Sequence, residues 1–229
     1  VRIRTFGDLR VEIGGKVIYD RNWRGNRTKT LLKALIVLGG HKVSVQRLCD
    51  LLWPDAEGDH ARQNLKVALS RLRHLGVVDK ETPVQWIVTQ HGHISLVSGV
   101  CEVDCTLFAL QLKHAESAPP AALARALDLY QADFLPNDES EHWIVSHRAT
   151  LRRLYVRGSQ HLARHCLLRG DGDPSAERYL ERALDIAPHE LQSYELLMRL
   201  HLVAGARHLA EETCARAEAA ARSLPHAVP

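Results

Sequence analysis

Apolar positions change period several times along the chain. Between Arg2 and Ile18 the β-formers Ile3, Val11, Ile13, Val17 and Ile18 fall in short runs, and Gly14-Gly15 offers a hairpin turn, so short strands are expected. From Asn26 the period lengthens. Leu31, Leu35 and Leu38, with Leu32 and Ile36 beside them, make a helical stripe that Gly39-Gly40 stops. Ser44 caps a second predicted helix through Leu52, with Val45, Leu48, Leu51 and Leu52 as its apolar face, and Trp53-Pro54 ends it. A third helix opens at Asp59 and buries Ala61, Leu65, Ala68, Leu69 and Leu72. Two β-rich runs, Ile87 to Gln90 and Ile94 to Val97, flank His91-Gly92-His93 and predict a hairpin.

From Asp104 the pattern is almost wholly helical. Asp104 caps a helix toward Glu116, Pro119-Pro120 opens another through Tyr130, and a long helix runs from Glu141 to about Gly170. Trp53 and Trp143 are expected to anchor the core. Asp171 to Pro174 reads as a turn and helix start. Ala176 to Pro188 resembles the second helix of a tetratricopeptide repeat, with Ala176 and Ala183 for close packing and Tyr179 and Leu180 in the seam. A further helix pair follows, and Pro188 and Pro225 lie 37 positions apart, near the repeat period of about 34. The Ala-rich end from Cys214 leaves the position of the last helix open.

With 229 residues, 45% hydrophobic and 25% charged, the chain has the composition of one large or two small folded domains. No run approaches the roughly 18 apolar residues of a membrane helix, and the first residues lack the apolar core of a signal peptide. The missing initiator Met leads us to expect a processed product or a piece of a longer protein. Five scattered cysteines, Cys49, Cys101, Cys105, Cys166 and Cys214, do not make a disulfide framework; mostly buried thiols in a cytoplasmic protein are expected. Charge is uneven. Residues 1–98 hold 16 Lys/Arg against 9 Asp/Glu, whereas residues 99–229 hold 14 against 18. A basic first half points to a polyanionic partner.

The third helix carries the clearest chemistry. Past Asp59 it has no carboxylate, and its face opposite the apolar stripe, with the flanks, holds Gln63, Asn64, Lys66, Val67, Ser70, Arg71, Arg73 and His74. Phosphates call for cations, and base edges call for amide or guanidinium donors with small apolar groups for thymine methyls. Asn64, Lys66, Val67, Ser70 and Arg71 are therefore candidates for base edges, and Gln63 on the same face is a further DNA-binding candidate. Arg62, Arg73 and His74 are candidates for phosphates, with Arg27 and Lys29 of the first helix as weaker ones. Either His91 or His93 of the hairpin would meet a neighbouring phosphate. Strands, three helices and a hairpin are the order of a winged helix, whose third helix enters the major groove.

Here the sequence resembles a known family. The opening IRTFGDLRVEIGGK, then LCDLLWPD, then ARQNLKVALSRLRHLG are similar to the antibiotic-regulatory-protein (SARP) family of bacterial activators, with a winged helix of the response-regulator type. Residues 99–229 resemble the accompanying bacterial transcriptional activation domain, through Asp104 with Phe108, ALDLYQADFLP, Trp143 with Arg148 and Leu151, and Pro188-x-Glu190 leading to Leu196-Leu197-Met198. The wing departs from the pattern, with His91, His93 and Ile94 where similar wings carry Arg and an aromatic. The expected fold is mainly α with a small β component: a winged helix over 1–98, then an all-α tetratricopeptide-like domain over 99–229. The resemblance implies a double-stranded DNA partner with tandem repeats at promoters, RNA polymerase as a second partner, and a homodimer. No membrane association is expected.

Two other classes compete with this reading. A protein-interaction module of a larger signalling regulator, with a winged helix that does not read DNA, would fit the His-bearing wing and the modest net charge of +3. A carboxylate-free third helix weighs toward DNA. An enzyme lacks a constellation: there is no nucleophile elbow, no phosphate loop and no nucleophilic Cys with visible partners. His161 and His165 share a helix face but lack further ligands, so neither metal nor cofactor is expected.

Overall fold

The computed structural model describes residues 1–23, 25–76, 84–139, 141–170 and 174–223. The chain divides into two compact units: residues 1–107 with 131–148, and residues 108–130 with 149–229.

The first unit begins with a meander, β1 (Arg2–Arg4), β2 (Arg10–Ile13) and β3 (Lys16–Tyr19). The tight turn between β2 and β3 needs positive φ at both central residues, and Gly14 and Gly15 supply it at 56° and 75°. Helix α1 (Asn26–Val37) buries Leu31, Leu32, Leu35 and Ile36. It closes as expected: the N–H groups of Gly39 and Gly40 return to the carbonyls of Ile36 and Leu35 at 2.9 and 2.8 Å. Strand β4 (Val43–Ser44) leads directly into α2 (Val45–Leu52). Ser44 does stand at the N-cap, as the last residue of β4 opposite His93, but its hydroxyl makes no capping bond. Helix α3 (Gly58–Arg73) starts one residue before Asp59 and buries Ala61, Leu65, Ala68, Leu69 and Leu72, the expected stripe.

Strands β5 (Ile87–Gln90) and β6 (His93–Leu96) form the hairpin, and β4 joins them in a sheet of order β4-β6-β5. The turn is two residues, His91 and Gly92, both with positive φ, so His93 belongs to the strand. Trp86, just ahead of β5, is 0% exposed and is the buried core tryptophan. Trp53 and Trp143, expected as anchors, are only half-buried, since each lies at a helix end.

The first unit takes in more chain than residues 1–98, and the reason is hydrogen bonding. Strand β7 (Glu102–Val103) pairs in parallel with β1, giving a sheet of order β3-β2-β1-β7. Helix α4 (Asp104–Leu112) follows at once and stops short of Glu116. The Asp104 carboxylate accepts from the N–H groups of Thr5 (2.8 Å), Phe6 (3.1 Å) and Cys105 (2.7 Å), and from the Thr5 hydroxyl. It thus caps its own helix and fixes the end of β1. The 133–138 loop lies on the same strand end: Gly7 donates to the Asp133 carbonyl and Leu135 donates to the Thr5 carbonyl. The first turns of α6 (His142–Arg169) hold that loop. Buried Arg148 donates to the carbonyls of Phe134 (2.7 Å), Leu135 and Asp138 (2.7 Å). Buried Lys33 pairs with Asp138, and Asp20 stands 3.8 Å away. His147 meets Phe134 edge-on at 4.8 Å, and its burial lowers its pKa to about 4.

The second unit holds the end of α4, then α5 (Pro120–Leu129), the rest of α6, α7 (Pro174–Ile186), α8 (Leu191–Val203) and α9 (Arg207–Arg222). Phe108, Tyr130 and Tyr155 form its aromatic seam, with ring centres 5.5 and 4.9 Å apart, and the Arg182 guanidinium lies 5.7 Å from both tyrosines. Gly158 lets α6 approach closely, since a Cβ there would come within 2.9 Å of Leu112. Ala176 and Ala183 are fully buried in α7, as their size predicted. Helices α7, α8 and α9 pack in succession, joined by short connections, and Arg216 of α9 grips Glu181 of α7 through two bonds of 2.8 and 2.7 Å. The last helix therefore continues through the Ala-rich segment to Arg222. The turn expected over Asp171 to Asp173 lies outside the described residues. Together the chain is mainly α with a small β component: a winged helix followed by an all-α tetratricopeptide-like domain. Among the described residues no helix is long and apolar enough to cross a membrane.

Asp104→Ala orphans the buried donors of Thr5 and should lower unfolding free energy by about 3 kcal/mol, read from denaturant midpoints. Asp104→Asn, which keeps one acceptor, should cost less. His147 makes a pH prediction. Its folded pKa lies below the ordinary 6.5, so below that pH the unfolded chain binds the proton more readily. Stability is full above about pH 6.5 and falls toward pH 4, by up to about 3 kcal/mol from this group. His147→Phe should flatten that part of the stability curve; an unchanged slope would place the pH dependence elsewhere.

Candidate nucleic-acid interface

Two features of the winged helix present polar groups outward: the exposed face of α3 and the hairpin. Asp59 in the first turn of α3 and Arg71 and Arg73 in the last complement the helix dipole. Burial of the Ala61-to-Leu72 stripe then dictates what faces out. At 3.6 residues per turn, Gln63, Val67, Ser70 and His74 line up opposite the stripe. Arg62 and Lys66 flank this line on one side, Asn64 and Arg71 on the other. All eight are exposed, and Val67 leaves 42% of its surface open.

These groups are not equally available. Arg62 reaches Gln46 of α2 at 3.4 Å, and Gln46 also donates to Asp50 at 2.8 Å. The His74 ring bonds to the Ser70 carbonyl at 2.7 Å. Arg73, half-buried, donates to the Thr89 hydroxyl of β5 at 2.7 Å and so ties α3 to the wing. Among the described residues Gln63, Asn64, Lys66 and Arg71 make no side-chain hydrogen bond or ion pair. The unshared donors thus lie along one face and its rim. Beneath them burial raises the Cys49 thiol pKa, with nearby Arg62 opposing the rise.

The wing is held at several points. The Val45 N–H at the start of α2 donates to the Gly92 carbonyl at 2.9 Å, Lys42 N–H to the Ser95 hydroxyl at 2.8 Å, and Leu96 N–H to the Gly40 carbonyl at 2.7 Å. His91 and His93 are exposed at its tip, the His93 ring bonded to the His91 carbonyl at 2.9 Å. With His41, Lys42, Gln90 and Ser95 they line a shallow groove on the wing. Arg27 is exposed at the start of α1, whereas Lys29 is paired with Asp20 at 3.0 Å. The partners of Arg73 and Lys29 were hidden from sequence reasoning, since Thr89 and Asp20 lie on other elements. Among the described residues no group of three His, Cys, Asp or Glu side chains could hold a metal ion.

This arrangement defines a class, a winged helix joined to a tetratricopeptide-like helical domain. The chain is similar in structure to Mycobacterium tuberculosis EmbR, solved in complex with a low affinity phosphopeptide, with a TM-score of 0.70 at 16% sequence identity over 97% of this chain. It spans 60% of the length of that chain. No protein-family model and no curated protein matches it.

Removing the clasp between α3 and the wing gives a direct check. Arg73→Ala should cost the β5 amides about 1 kcal/mol of local protection, read as faster hydrogen exchange there, with α1 amides unaffected. Uniform acceleration would mean that Arg73 supports the whole unit instead.

Proposed function

We propose that the chain is a sequence-specific DNA-binding transcriptional activator, with α3 seated in the major groove and the wing beside the adjacent backbone. The observation that carries this reading is the exposed face of α3, free of carboxylates past Asp59, with four unshared polar side chains. Asn64 and Arg71 present bidentate groups for base edges, Lys66 and Ser70 single donors, and Val67 an apolar surface for a thymine methyl. Arg62, His74, Arg27 and the wing histidines face phosphates. Arg73 and Lys29, each already bonded within the fold, contribute mainly by positioning and by their field.

The resemblance to the antibiotic-regulatory-protein family extends the reading to tandem promoter repeats, to recruitment of RNA polymerase by the helical unit, and to a cytoplasmic homodimer. Head-to-tail protomers on direct repeats need no two-fold axis, so a single α3 per half-site suffices.

Selection from random duplex DNA at two salt concentrations tests the reading. A tandem motif should be enriched, with affinity falling steeply as salt rises. Arg71→Ala should then lose about 1–3 kcal/mol on the selected site and relax preference at one base position. Equal losses on selected and random duplexes would make Arg71 a phosphate contact. Absence of any enriched motif would overturn the sequence-reading assignment.

A further inference from the structure

The outer face of the four-stranded sheet carries a second cluster of cations, apart from α3 and the wing. Strand alternation turns Ile3, Val11 and Ile13 inward and leaves Arg2, Arg4, Arg10, Val17 and Tyr19 exposed. With Glu12 they line a shallow depression of about 190 Å³. The register sorts the charges. Arg2 stands between Glu12 on one neighbouring strand and Glu102 on the other. Arg4 stands directly opposite Arg10, and Arg10 opposite Tyr19. The guanidinium groups of Arg10 and Arg21 lie 5.7 and 5.9 Å from the centre of the Tyr19 ring. Among the described residues Arg4, Arg10 and Arg21 form no ion pair.

Like charges directly across a strand pair destabilise a sheet, and no carboxylate in the register relieves this one. The pair presents two planar forks on a stiff support, with Arg10 and Arg21 drawn toward an exposed ring. Carboxylates pair with such forks bidentately. A nucleic-acid backbone fits less well. Glu12 and Glu102 interrupt the cations, and a continuous polyanion would have to cross them. The inner side of the sheet meets the chain just past α3, with Ile13 and Ile18 against Gly76, so the outer side looks away from the helices.

We propose that this face binds an extended acidic segment of a partner protein, its carboxylates on Arg4 and Arg10 and its apolar side chains over Val17 and Tyr19. The site is independent of the DNA-facing surface, and its occupancy leaves α3 open.

The test uses the full chain and a labelled twelve-residue peptide that carries two Glu and several Val on one face of an extended strand, with Thr on the other, followed by fluorescence anisotropy. Arg4→Gln with Arg10→Gln should weaken peptide binding at least about tenfold. The same double variant should melt no lower than the parent, since a repulsion is removed. The control Lys113→Gln with Arg125→Gln, an equal change of charge on exposed sites, should alter peptide affinity less than about twofold. Affinity for random duplex DNA should hold within about twofold in both variants. Unchanged peptide binding in the Arg4/Arg10 variant, or an equal loss in the control, overturns the site. A parallel loss of duplex affinity makes the face a phosphate contact and overturns it too.

Discussion

Burial of one stripe of α3 fixes what the first unit shows to its surroundings. Leu65, Leu69 and Leu72 lie almost wholly out of water, each contributing about 1.5–3 kcal/mol. Turning the helix by one residue, about 100°, would expose them and bring Arg62 or Lys66 toward the core. The outward face is therefore a by-product of the inward one. Asn64, Ser70 and Arg71 need no interaction of their own to hold their direction, and their side chains remain free for a ligand. The same logic governs the four-stranded sheet, where Ile3, Val11 and Ile13 set the side from which the arginines project.

A second kind of constraint works across long sequence distances. Asp104 gathers the end of β1 and the start of α4, and Arg148 gathers three carbonyls of the 133–138 loop. Both are charged groups satisfied mainly by backbone. Such bonds are stronger than neutral ones, and they specify position because few geometries supply so many partners at once. They also explain why residues 99–107 and 131–148 travel with the first unit.

Elements governed by local pattern were legible in the sequence. The apolar stripes of α1 and α3, the Gly14-Gly15 turn and the small residues of α7 all follow from spacing alone. The parallel pairing of β7 with β1 was not, because two residues at a separation of about a hundred carry no periodicity. The role of Trp86 was missed beside the more conspicuous Trp-Pro pair at Trp53. On the candidate interface the exposed face of α3 was readable, since amphipathicity defines it. Which of its cations are already engaged was not: the partners of Arg62, Arg73 and Lys29 lie on different elements, and only the folded chain brings them within reach. The arginines of β1 and β2 alternate visibly, but their meeting depends on register.

The bond from Val45 to the Gly92 carbonyl has a mechanical meaning. With the contacts of Lys42, Leu96 and Arg73 it ties the hairpin to the end of α1, the start of α2 and the last turn of α3. The tip turn has two residues and no slack to lend. Wing and α3 are thus braced against each other, and a ligand that touches both would adapt to the spacing they set. Discrimination would then rest on how cheaply a given ligand deforms, as well as on the groups it displays.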